Sequence, residues 1–267
     1  MLGLALLAAG GSWADDADEG GIDPVEPDFT VITLPTTLRL PKHALAFRLT
    51  HRFTEGLDQG NFSNLASDFF GLDGGAQISL ELRFGVTSKL QVGVNRVSDR
   101  TIQLFSQQEV LRQPASPIGL AIAASVEGLD NFKQRYSPRG ALVASRRLGD
   151  RAELYLEPAF VANTELPPKL PGQDTSTVLL GIGGRLRLGE SHYLVAEVSP
   201  RLAGYMGDRG NGVPGSRASF GLEARVGGHV FQLNVSNDVG TTPAQTARGR
   251  EGLENWFLGF NLSRKFY

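Results

Sequence analysis

Ala76-Gln77-Ile78-Ser79-Leu80-Glu81-Leu82-Arg83-Phe84 decides the fold. Its apolar residues (Ala76, Ile78, Leu80, Leu82, Phe84) share one parity, and Gln77, Ser79, Glu81 and Arg83 share the other. Successive side chains of a β-strand point to opposite faces, so this segment has one oily and one charged face. The same rhythm marks strands at 45–53, 76–84, 90–95, 101–112, 118–127, 139–148, 152–160, 178–187, 194–201, 219–226, 230–235 and 256–263. The stretches 101–112 and 139–148 are the raggedest.

A soluble sheet buries its oily face and wets its polar one. Here the polar parity carries so many paired charges, over so many repeats, that the reverse geometry is favoured. The oily face meets lipid, and the charged face lines a closed antiparallel, up-and-down transmembrane β-barrel of about 12 strands in the bacterial outer membrane. The lipid bilayer is then its first partner. A soluble lipocalin-like or sandwich fold is the alternative, separable by detergent dependence and heat-modifiable gel mobility.

The connections point the same way. Turns at 85–89, 114–117, 148–151, 188–191 and 227–229 are short; segments at 54–75, 128–138, 163–176, 203–217 and 238–255 are long and polar. Short and long alternate as periplasmic turns and external loops do, with 96–100 as the short exception. Aromatic residues (Phe53, Phe84, Phe160, Tyr193, Phe220, Phe231, Trp256, Phe266, Tyr267) gather near strand ends, as in interfacial girdles. A last strand ending on Lys265-Phe266-Tyr267 resembles the signal read by barrel-insertion machinery, the expected partner of that strand. The barrel is expected to be a monomer.

The inner parity holds Arg48, Arg52, Glu81, Arg83, Glu127, Glu153, Glu157, Arg185, Arg187, Glu197, Arg201, Glu223 and Arg225. Enclosed charges are tolerable when paired and hydrated, so ladders of Glu–Arg contacts are expected, including Glu81 with Arg83 and Glu223 with Arg225. Twelve strands tilted near 40° enclose a backbone radius of roughly 12 Å. Long arginines fill much of that, which predicts a narrow, hydrated or partly plugged interior. The network either only holds the wall together or lines a conducting path.

Other chemistry is poorly supported. The chain has no cysteine, which excludes disulfides, thiol nucleophiles and cysteine-held metals. A net charge of −2 gives no reason to expect nucleic acid. His43, His51, His192 and His229 stand at no ligand spacing, so neither a metal nor a cofactor is expected. Gly181-Ile182-Gly183-Gly184 lacks the helix of a nucleotide loop and falls within a strand, where it reads as packing relief.

Residues 1–14 (apolar, with Ser12 and Ala14 at −3 and −1) read as a signal-peptide remnant cut after Ala14. Residues 15–37, with Asp15, Asp16, Asp18, Glu19, Pro24 and Pro27, read as an acidic tail without fixed structure. The barrel domain is expected over 38–267.

Several strings carry a resemblance: His51-Arg52-Phe53, Phe70-Gly71-Leu72-Asp73, Leu111-Arg112-Gln113, 227–233 and 259–264. In this order they resemble an uncharacterised family of bacterial membrane-bound β-barrel domains, which implies fold and location but no reaction. The expected function is a narrow channel or transport-related protein for small polar solutes. The alternatives are a structural or docking barrel, acting through loops at 54–75, 203–217 and 238–255, and a lipid-active enzyme using an unmarked serine; no enzyme activity is expected.

Overall fold

The computed structural model describes residues 25–57, 74–165, 175–205, 216–249 and 255–266. The signal remnant, the acidic run, Tyr267 and most of the connections at 54–75, 163–176 and 203–217 lie outside the described residues. The described residues form thirteen strands: β1 (Leu45–Phe53), β2 (Ala76–Gly85), β3 (Leu90–Val97), β4 (Ile102–Leu111), β5 (Gly119–Gly128), β6 (Gln134–Leu148), β7 (Ala152–Ala162), β8 (Ser176–Arg187), β9 (His192–Ser199), β10 (Arg201–Gly204), β11 (Arg217–Val226), β12 (His229–Ser236) and β13 (Phe257–Phe266).

Strands β1 to β9 pair in sequence order, and β9, β11, β12 and β13 complete an antiparallel ring that closes on β1. Leu49 faces Leu262 across that closure. Strand β10 continues β9 after Pro200 and pairs with β8 through a register shift. Proline donates no backbone hydrogen bond, which splits this strand in two. The architecture is therefore a twelve-strand barrel with one interrupted strand. No helix among the described residues is long and apolar enough to cross a membrane.

The parity falls as the sequence demands. Leu82 is 53% and Leu222 59% exposed on the outside, whereas Arg83 is 5% and Arg52 0% exposed inside. Tyr193 departs from the girdle expectation: it is fully buried on the inner face, because it shares the parity of Val195 and Glu197. Strand β6 begins earlier than expected, which shortens the supposed long connection at 128–138 to a turn at 129–133.

The largest correction concerns the supposed solvated tail. Its described part turns back on itself inside the barrel as a hairpin over 25–40. Thr30 bridges Pro35, the Val31 amide donates to the Leu34 carbonyl at 2.8 Å, and the Thr36 amide to the Phe29 carbonyl at 2.9 Å. Val31, Ile32 and Thr36 are fully buried. After the hairpin the chain reaches the short-turn rim, where Arg39 donates to the Ser88 carbonyl at 2.6 Å. The connection at 238–255 also turns inward over its described part. It forms helix α1 (Pro243–Arg248), which buries Ala244 and Ala247 against small apolar residues of β5 to β8, such as Ala123, Val143 and Val161.

Candidate functional site

The lumen is filled by two pieces of the chain that are not wall strands. Two glycines of β8 position the first. A Cβ on Gly181 would lie 2.2 Å from Leu34 Cδ1, and one on Gly183 would lie 2.7 Å from Leu34 Cδ2. The glycine run is thus a notch for the side chain of Leu34.

The hairpin tip is latched by one carboxylate. Glu197 Oε2 accepts the backbone amides of Ile32, Thr33 and Leu34, each at 2.9 Å, and its Oε1 accepts the Thr33 hydroxyl at 2.5 Å. Hydrogen bonds to an ionised acceptor are shorter and stronger than neutral ones. Donors from the wall meet the hairpin carbonyls. Arg185 reaches Thr30 at 2.9 Å, Gln232 reaches Val31 at 2.6 Å, and Arg48 and Asn261 reach Ile32 at 2.5 and 3.1 Å. Lys265 bonds Pro27, and Gln107 bonds Thr36 at 2.9 Å.

Ion pairs brace the wall. Arg185 grips Glu223 through two bonds of 3.0 and 3.2 Å, both side chains fully buried. Arg83 holds Glu81 Oε1 at 2.9 Å, Arg139 pairs with Glu157, and Arg217 lies 3.9 Å from Glu197.

Most of the sequence-predicted inner residues are where parity put them. Arg48, Arg52, Arg83, Glu127, Glu153, Glu157, Arg185, Glu197 and Glu223 are buried, and Glu81 is half-buried. Glu223 does not pair with Arg225 as expected. It reaches past β9 to Arg185 on β8, while Arg225 stays half-buried near the end of its strand. Arg187 is not luminal: it bonds the carbonyls of Gly189 and Glu190 in its own turn at the rim. Arg201 is half-buried and contacts the Thr246 carbonyl at 3.4 Å. Sequence reasoning missed Arg139, Arg217, Lys265 and the amides Gln107, Gln232 and Asn261, although each obeys the inner parity of its strand.

The second filling is α1. Thr242 accepts the Gln245 amide at 3.3 Å while the Gln245 side chain takes the Thr242 amide, a reciprocal cap with Pro243 behind it. Glu127 accepts the Ala244 amide at 2.9 Å, and Arg217 donates to the Gly240 carbonyl and the Thr246 hydroxyl, both at 2.8 Å. Arg248 bonds the Ser137 hydroxyl at 3.1 Å; burial holds its guanidinium below the usual range, and Glu127 pulls the other way. Between the hairpin tip and residues 241–246 lie cavities of about 50 and 60 Å³. Each has room for a few water molecules and no more. Among the described residues no group of three or more metal-ligating side chains occurs.

Residues 28–266 match the model of a family described as a membrane-bound beta barrel domain, DUF5777. The chain belongs to that family. A family of membrane-bound barrels and a closed ring with an apolar exterior place it in the bacterial outer membrane. Comparison with curated proteins gives no match. Among solved structures, the NanC porin is similar in fold, with a TM-score of 0.55 at 8% identity over 84% of this chain and 100% of that one. The KdgM porin gives 0.52 at 8% identity, over 84% and 99%. An outer membrane channel from Pseudomonas putida F1 gives 0.52 at 10% identity, over 85% and 97%.

Proposed function

We propose that this barrel is a channel for small polar solutes, that the hairpin at 25–40 holds it in a closed state, and that it opens when the hairpin leaves the lumen. One observation carries the reading. The interior is blocked by a separate hairpin seated in a notch, rather than by side chains of the wall meeting across it. A wall built only for strength would pack its own residues. Every strand-to-hairpin contact named above is non-covalent, so each is reversible. Similarity in fold to porins and a channel supports the reading without naming a solute. No catalytic role is assigned. The rim with the short turns would face the periplasm, β13 would meet the insertion machinery, and the molecule would act as a monomer.

Planar-bilayer recording tests this. Wild-type protein should show rare, small conductance steps. The Leu34→Ala variant, which vacates the notch, should show frequent ones. Silence from both, with a Thr33→Cys probe labelled rapidly in the variant, would reject the channel. It would favour a structural barrel, the reading that the small cavities support.

A further inference from the structure

We infer that the solute is a small organic anion, a carboxylate bearing further oxygen acceptors, and that the hairpin holds its place in the closed lumen. The inference rests on the channel reading and adds the class of solute. Its basis is a chemical asymmetry between wall and hairpin.

Seven strand residues donate to six hairpin carbonyls. They are the six named above and Gln91, whose amide reaches the Leu38 carbonyl at 2.9 Å. In the reverse direction, Glu197 takes the three tip amides and Gln91 takes the Leu40 amide at 3.1 Å. To the wall the hairpin is mainly a source of oxygen atoms. It also carries negative charge: Glu26 and Asp28 are both buried, and Asp28 Oδ2 lies 4.0 Å from Arg48 Nε.

Withdrawal would remove those oxygens and both carboxylates together. The strands themselves bury seven arginine and lysine side chains but five glutamates. Half-buried Glu81 and Glu109 and buried Asp238 offset these cations over the lumen as a whole, and Arg39 leaves with the hairpin, so the excess is local: Arg48 loses Asp28, and Lys265 loses the Pro27 carbonyl that lies between the two acids. Several vacated donors are also neighbours. Gln232 faces Asn261 on the adjacent strand, Asn261 faces Thr50, and Arg48 lies two residues before Thr50. Lys265 stands on the same face of β13 as Asn261. Arg185, Arg83 and Arg139 keep their own glutamates. What opens is a patch across β12, β13 and β1 with two cations and two amide donors. Such a patch binds a carboxylate through the cations and hydroxyl or carbonyl oxygens through the amides. A patch with this excess concentrates anions and repels cations.

The test is ion selectivity in planar bilayers with the full chain carrying Gly181→Leu. That substitution fills the Leu34 notch and leaves every wall charge in place. Leu34→Ala serves if the bulkier variant does not fold. Under a tenfold potassium chloride gradient, the reversal potential should show several-fold preference for chloride over potassium. Potassium gluconate should carry measurable anion current. Adding Arg48→Glu and Lys265→Glu should reverse the preference. A conducting variant that prefers potassium, or neither ion, would overturn the inference and leave the channel reading standing. No conductance from a variant whose Thr33→Cys probe labels rapidly would overturn both.

Discussion

The two fillings of the lumen are held by different balances of polar and apolar contact. The hairpin at 25–40 is bound through its backbone, by wall arginines, amides and Glu197. Helix α1 also takes polar bonds, to Glu127, Arg217 and Ser137, but the face it buries is two alanines set against apolar residues of β5 to β8. The first arrangement is directional: each bond needs its partner in place, and an abandoned buried charge costs more than the bond contributed. The second is a matter of volume: it tolerates sliding and fails when a side chain grows. The barrel thus has one filling, the stopper, that releases when a charge is lost, and a second, laid against one side of the wall at β5 to β8, that releases when space is lost.

Substitutions can break that contrast. Glu223→Ala should have the largest effect. It strands Arg185 in a dry wall, at a cost of about 3–5 kcal/mol, and frees the contact to Thr30. Urea unfolding in detergent should show the loss, and a joint Arg185→Met, Glu223→Leu replacement should recover most of it. Glu197→Ala comes next. Removing a charged acceptor costs about 1.5–3 kcal/mol per bond before rearrangement, and the effect should fall on the hairpin. Labelling of Thr33→Cys should accelerate more than that of Gln245→Cys on α1, which Glu197 reaches only through Arg217; equal acceleration would show that the two fillings move as one.

Ala247→Leu is the mirror experiment. Overpacking of about 1–3 kcal/mol should lift α1 from its apolar wall and raise labelling at Gln245→Cys but not at Thr33→Cys. Thr242→Ala removes the cap of α1 and should loosen it by about 1 kcal/mol, read as a modest rise in protease cleavage near residue 249. Arg100→Ala should do least. Its pair with Asp130 is solvent-exposed at 3.3 Å, and exposed pairs contribute about 0–1 kcal/mol. A thermal shift beyond that scale would mean that the β3–β4 turn carries load from α1, whose Gln245 bonds Asp99 at 2.8 Å.

The barrel wall was legible in the sequence because a membrane strand must alternate, and alternation at period two survives without knowledge of any contact. The notch at Gly181 and Gly183 was legible as relief but not as a seat for Leu34, since its occupant lies far away along the chain. Glu197 looked like every other inner glutamate; only the fold brings three amides to it. The pairing of Glu223 was misjudged because same-strand spacing puts Arg225 within reach, whereas Arg185 sits two strands across in a bidentate position. The hairpin was missed because acidic and proline-containing composition resembles a solvated tail. The shift to Phe29-Thr30-Val31-Ile32 is the signal that could have marked it. For α1 the sign was Thr242-Pro243-Ala244-Gln245, the spacing of a capping box inside a supposed loop.

Both legs of the hairpin run toward one mouth of the barrel, and the second leg continues within a few residues into β1. Among the described residues nothing is threaded through the ring, so the hairpin can retreat without untying any of them. Once out, it remains tethered, and a short tether keeps its effective concentration at its seat on the order of millimolar. Reseating is then a unimolecular event whose rate does not depend on how much protein the membrane holds. Any solute that keeps the passage clear must outcompete a ligand that never diffuses away.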